Sequence, residues 1–131
     1  MLEELWRRLL ERLPRLDEAE GQPLAVALIE SRDYAARCGP AWLWWPGRRA
    51  VDAQAVVFDG RYPPQWGLLL VMEAQAIEKL GAGEAAPIGT AMASLVRQLS
   101  IKPFVLKQRE ELEAGGVLEF IETLELATPK H

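Results

Sequence analysis

Residues 66–80 read WGLLLVMEAQAIEKL, and the conformation of this stretch decides the fold. Gly67 to Met72 is a continuous apolar run. A buried strand and the start of a buried helix share that pattern, and length alone does not separate them. Ala74 to Leu80 has helical composition, and Gly81-Ala82-Gly83 breaks it. One reading is a strand that passes into a helix. The rival is a single helix from Trp66 to Leu80. A strand followed by a helix is expected.

Upstream lie two more strand candidates. Ala41 to Trp45 is short and aromatic, and Val51 to Phe58 is rich in valine. Pro46-Gly47-Arg48-Arg49 separates them as a turn. Gly60 and the pair Pro63-Pro64 mark the loop before the third run. Three strands in succession predict an antiparallel meander.

Helices are expected on either side. Leu2, Leu5, Trp6, Leu9, Leu10 and Leu13 recur at three- and four-residue steps among Glu and Arg, the pattern of an amphipathic helix. Pro14 ends it. Pro23 opens a second helix that carries Leu24, Ala27, Leu28, Tyr34 and Ala35 near one face, as far as Cys38-Gly39-Pro40. Pro87 to Leu99 is a third helix, Ile101 to Leu106 a short strand with Pro103 at an edge or start, and Lys107 to Glu113 an exposed helical turn or two. The last segment, VLEFIETLELA, fits both periods and is read as a strand because two glycines precede it and Thr-Pro follows. The expected architecture is α+β: an antiparallel three-stranded meander, extended by one or two later strands and covered by helices. It forms a single compact domain over residues 1–131, with an amphipathic N-terminal helix and loop at 1–22 and a core at 23–131.

Composition narrows the chemistry. A net charge of −4, from 15 basic and 19 acidic residues, argues against a strongly basic nucleic-acid module. Cys38 is the only cysteine and His131 the only histidine, at the last position. That disfavours Cys-His and Ser-His-Asp catalysis and removes any zinc site built from clustered cysteine and histidine. Glu3, Glu4, Arg7 and Arg8 interrupt any signal-peptide core, and no apolar run approaches the roughly 20 residues of a membrane span. A soluble, cytoplasmic protein that contacts no membrane is expected.

Four of the five tryptophans fall between Trp42 and Trp66. On a strand, Trp42 and Trp44 face one side and Trp45 the other. Core packing explains them; so does an exposed aromatic edge, because tryptophan is enriched at interface hot spots. The functional expectation is a non-enzymatic partner-binding module, a homodimer or a subunit of a larger assembly, with no cofactor. Its contact residues would be Trp42, Trp44, Trp45 and Trp66 with Arg48 and Arg49 in the flanking turn. The stripe of Leu5, Trp6 and Leu9 offers a second surface.

An alternative follows from strand register. A hairpin of Val51–Phe58 with Gly67–Ala74, centred between Tyr62 and Pro63, sets Asp52 opposite Glu73, with Gln75 on the same face. Facing carboxylates repel unless a cation lies between them, and magnesium takes carboxylate oxygens while retaining waters. Asp52 and Glu73-Ala74-Gln75 in this element order resemble the core of the PD-(D/E)xK nucleases over about Pro23 to Leu106. Glu30 matches an acidic residue that some members carry on the preceding helix. The resemblance implies a magnesium-dependent nuclease, or a degenerate relative, with Asp52 and Glu73 as metal ligands, Gln75 as the third motif residue and nucleic acid as substrate. Two positions depart from the motif: Val51 stands in place of proline and Gln75 in place of lysine, with Lys79 one helical turn on.

Overall fold

The computed structural model describes residues 2–13, 19, 21–46, 54–83 and 87–126. The deciding stretch is a strand that turns helical at once: β4 spans Trp66–Met72 and α3 spans Ala74–Ala82, with Glu73 at the junction. The other elements are α1 Leu2–Glu11, β1 Ala25–Glu30, α2 Ser31–Ala36, β2 Gly39–Trp44, β3 Gln54–Phe58, α4 Ile88–Arg97, β5 Ile101–Val105, α5 Arg109–Ala114 and α6 Leu118–Thr123. The fold is α+β, built on one open, mixed, five-stranded sheet in the order β3-β2-β1-β4-β5.

The meander is only partly realised. β2 and β3 pair antiparallel as expected, with Trp42 opposite Ala55. β4 does not join them. It lies parallel to β1, with Leu28 opposite Leu70, and antiparallel to β5. Burial explains the choice. All seven residues of β4 are buried, so it has no side to offer water. A strand of that kind belongs at the centre of a sheet covered on both faces. β3 is mostly exposed and sits at an edge.

Two elements correct the sequence reading. The segment expected as a helix from Pro23 is the central strand β1 over Ala25–Glu30, and only Ser31–Ala36 is helical. AVALIE is buried at every position, so its apparent helical period was a run of apolar residues with no polar face to test it. The last segment, expected as a strand, is the helix α6. The two glycines before it terminate α5: the Gly115 N–H donates to the Glu111 carbonyl, and Gly116 takes φ 80, the left-handed conformation that ends helices.

The sheet has two differently covered faces. On one, Val26, Leu28, Trp44, Leu68, Leu70 and Met72 pack against α1 and α3–α6. There α1 buries Trp6, Leu9 and Leu10, the turn after it buries Leu13, and Arg12 of that turn donates to the Leu80 carbonyl near the end of α3. On the other face, Ala25, Ala27, Ile29, Ala41, Leu43, Leu69 and Val71 form a second cluster, with no member from α1 or α3–α6. The chain between β3 and β4 crosses this second face. It opens with Gly60 at φ 92 and an Asx turn in which the Arg61 N–H donates to Asp59 Oδ1 at 3.1 Å.

Candidate functional site

The residues singled out from the sequence are dispersed. Asp52, Arg48 and Arg49 lie outside the described residues. The hairpin that would carry Asp52 to Glu73 does not form, because β2 and β1 separate β3 from β4. Trp44 and Trp66 are buried, Trp45 is buried on the opposite face from Trp44, and Trp42 is half-buried and stacks on Trp6 of α1. Leu9 and Trp6 are core residues, with Leu5 packed at the margin, so the stripe on α1 is spent inside the molecule. Gln75 is exposed at the start of α3, where it shares an open groove of about 500 Å³ with Lys79, Gln98 and Ser100.

Glu73 does have an acidic neighbour, though not Asp52. β1 and β4 run parallel, so their C-terminal ends bring Glu30 and Glu73 to the same end of the sheet. Crevices at the C-terminal ends of strands are where open α/β sheets bind ligands. Here the two carboxylates are engaged within the protein. Ser31 Oγ donates to Glu73 Oε2 at 3.0 Å, and the Glu73 N–H donates to the Ser100 carbonyl at 2.9 Å. Glu30 is 8% exposed; its Oε2 accepts no hydrogen bond and forms an ion pair at 3.6 Å with the exposed Arg32. Among the described residues, no group of three or more His, Cys, Asp or Glu is placed to hold a metal ion. The arrangement ties the start of α2 to the start of α3.

The second face of the sheet presents a different surface. Phe104 of β5, Tyr34 of α2, Phe58 of β3, Tyr62 of the crossover and Trp66 of β4 form one connected chain of stacked rings. Tyr34 lies 5.8 Å from both Phe104 and Phe58, and Phe58 lies 6.2 Å from Tyr62 and 6.1 Å from Trp66. The ring planes stay within 15–29° of one another. The small Ala25, Ala27 and Ala41 in the same cluster leave room for large rings. Phe58 and Trp66 are buried, whereas Tyr62 is 45% and Phe104 39% exposed.

Polar groups frame the rings. The hydroxyls of Tyr34 and Tyr62 hydrogen bond at 2.8 Å. That bond holds the Tyr62 hydroxyl above its ordinary pKa; burial adds to the effect, and Arg37 opposes it. Arg37 closes α2 in the left-handed conformation at φ 54 and shares a cavity of about 310 Å³ with Tyr34, Phe58, Gly60 and Tyr62. Lys102 lies on the same side of β5 as Phe104, opposite Val71. Arg37, Arg61 and Lys102 form no ion pair among the described residues.

Tyr34, Tyr62 and Phe104 were not singled out from the sequence, although one signal was present. Phe104 shares strand parity with Lys102 on a strand that contains Pro103, so it projects from the polar side of an edge strand. An aromatic residue in that position is half-exposed by construction.

No protein-family model, no curated protein and no solved structure matches this chain.

Proposed function

We propose that this protein acts by binding rather than catalysis, and that its contact surface is the aromatic face of the sheet. A partner protein would meet Tyr62 and Phe104 first, with Tyr34 between them. One observation carries the reading: a continuous chain of stacked rings lies on a face that the longer helices leave uncovered, and its outer members keep 45% and 39% of their surface in water. Rigid aromatic rings supply large contact area at low entropic cost, which is why they dominate interface energetics. Arg37, Arg61 and Lys102 around the rings favour an acidic partner segment through complementary charge. The reading keeps the aromatic binding surface expected from the sequence and assigns it to tyrosine and phenylalanine in place of the buried tryptophans.

Site-specific photo-crosslinking in the native cell tests it. A photoreactive residue at Tyr62 or Phe104 should capture one common partner, and the same group at Leu99, exposed in the α4–β5 turn, should capture none. With the photoreactive residue at Phe104, Tyr62→Asp should abolish capture while leaving the fold intact, because Tyr62 already stands partly in water. An identical product from Leu99, or no product from either aromatic position, would sink the proposal.

A further inference from the structure

The two edges of the sheet are built differently. β5 carries Lys102 and Pro103 within Ile101–Val105. Lysine and proline are the residues that blunt an edge against strand addition, the proline because it has no N–H to donate. β3 reads Gln54-Ala55-Val56-Val57-Phe58, with no charge, no proline and no glycine. Val57 is 80% exposed, and Gln54 and Ala55 are exposed beside it. The inner side of β3 is paired to β2 along its whole length, from Phe58 opposite Gly39 to Gln54 opposite Leu43. Its outer side pairs with no strand among the described residues. An apolar edge with unpaired backbone groups is a template for a further strand.

We propose that β3 is a self-pairing edge: two copies of this chain join β3 to β3, antiparallel about a two-fold axis, with Val56 opposite Val56 of the second copy. The register follows from strand geometry. Outward-pointing N–H and C=O groups alternate along a strand, so antiparallel pairing can oppose only residues of like parity. Among the two-fold registers that satisfy this, the one centred on Val56 overlaps all of β3. It sets Ala55 against Val57 and Gln54 against Phe58, and about four to six backbone hydrogen bonds close the pair. Within the overlap of β3 with β3, no charged side chain is brought against another. The axis stands perpendicular to the sheet, so both aromatic layers lie on the same side of one continuous sheet, with Phe58 of each copy near the junction.

The pairing is weak by its size. A five-residue strand is about 17 Å long, and its edge alone falls short of the roughly 1,000 Å² of a stable interface. Association in the micromolar range follows. It does not depend on the aromatic face being a contact surface for another protein, and the two readings can fail separately.

Sedimentation equilibrium on the full chain, from about 5 to about 500 μM, spans the expected range of dissociation constants. The average mass should climb from 14.7 kDa towards twice that value. Val57→Lys should stay at 14.7 kDa throughout with an unchanged circular dichroism spectrum, because the side chain already stands in water. In a Cys38→Ser background, Val56→Cys should form an interchain disulfide under mild oxidant, because directly opposed Cα atoms lie about 4.5–5.5 Å apart. Val57→Cys, displaced from its own copy by the register, should do so several-fold more slowly. A wild-type chain that stays at 14.7 kDa overturns the proposal and hands the edge to an extended segment of another protein. Association of Val57→Lys equal to wild type, or equal crosslinking at positions 56 and 57, overturns it as well.

Discussion

On the helical face of the sheet, α1 and α3–α6 bury Trp44 against Phe120, edge to face at 4.7 Å, within a large cluster of leucine, isoleucine and methionine. On the opposite face, Ala25, Ala27 and Ile29 are equally inaccessible, but their cover is a layer of rings. Helices bring a second layer whose own outer side is polar. A layer one side chain thick hides what lies beneath and leaves its own upper surface apolar and wet. Burial of the sheet therefore looks uniform while the two surfaces differ in kind. The helical face closes its apolar surface away from water, and the aromatic face keeps part of its own in water, which is what the proposed contact would use.

That division predicts unequal costs of truncation. Trp44→Ala should lose about 3–5 kcal/mol, the range for a large aromatic in a closed core, by chemical denaturation monitored by circular dichroism. Gly81→Ala comes next. A Cβ there would lie 2.8 Å from the Leu5 carbonyl oxygen and 3.2 Å from Leu5 Cα, so the backbone of α1 has to move. Overpacking of this kind costs about 1–3 kcal/mol, readable as a lower Tm. A neutral Gly81→Ala would mean that α1 does not dock on α3 as described. Phe104→Ala should cost only about 1 kcal/mol, since much of the ring is already in water. If it proves as damaging as Trp44→Ala, the aromatic layer is ordinary core and the contrast between the faces is lost.

Legibility in the sequence followed how much water each element sees. α1 has a polar side as well as an apolar one, so its period and its buried residues could be read from spacing alone. The side alternation of Trp42, Trp44 and Trp45 followed from the strand period alone. β1 has no polar side, and a pattern of burial cannot reveal a period where nothing is exposed. The partner of β4 was hidden further, because local turn signals suggest hairpins, whereas β1–β4 pairing joins segments some forty residues apart through a crossover. The acidic pair at the strand ends depends on that pairing, so Glu73 was found without Ser31, and Glu30 was named only through the family resemblance, on an expected helix where the structure has the end of β1. The aromatic face depends on it too: its rings come from three strands, a short helix and a loop, and no window of sequence contains them together.

The smallest effect is the most selective between the faces. The chain has two tyrosines, and both belong to the aromatic face. The Tyr62 hydroxyl is held above its ordinary pKa of 10.0, first by the hydrogen bond with Tyr34, then by burial and by the neighbouring Tyr34 charge, against the pull of Arg37. The folded state thus keeps a proton that the unfolded chain gives up. Its contribution to stability is complete below the unfolded pKa near 10 and is lost as pH rises through the higher folded value. In Tyr34→Phe the hydrogen bond and the second phenolate both disappear, and Tyr62 is the only tyrosine left to report. Its tyrosinate absorbance should then rise at lower pH than that of Tyr62 in the wild type. The shift in stability should be slight, because this hydroxyl pair sits at the water-facing surface of the layer. An unmoved titration would leave burial alone as the cause and place Tyr62 deeper than a contact residue can be. A shift confined to strongly alkaline solution would mark the aromatic face as the only one that answers to the tyrosine proton, since the helical face contains no tyrosine.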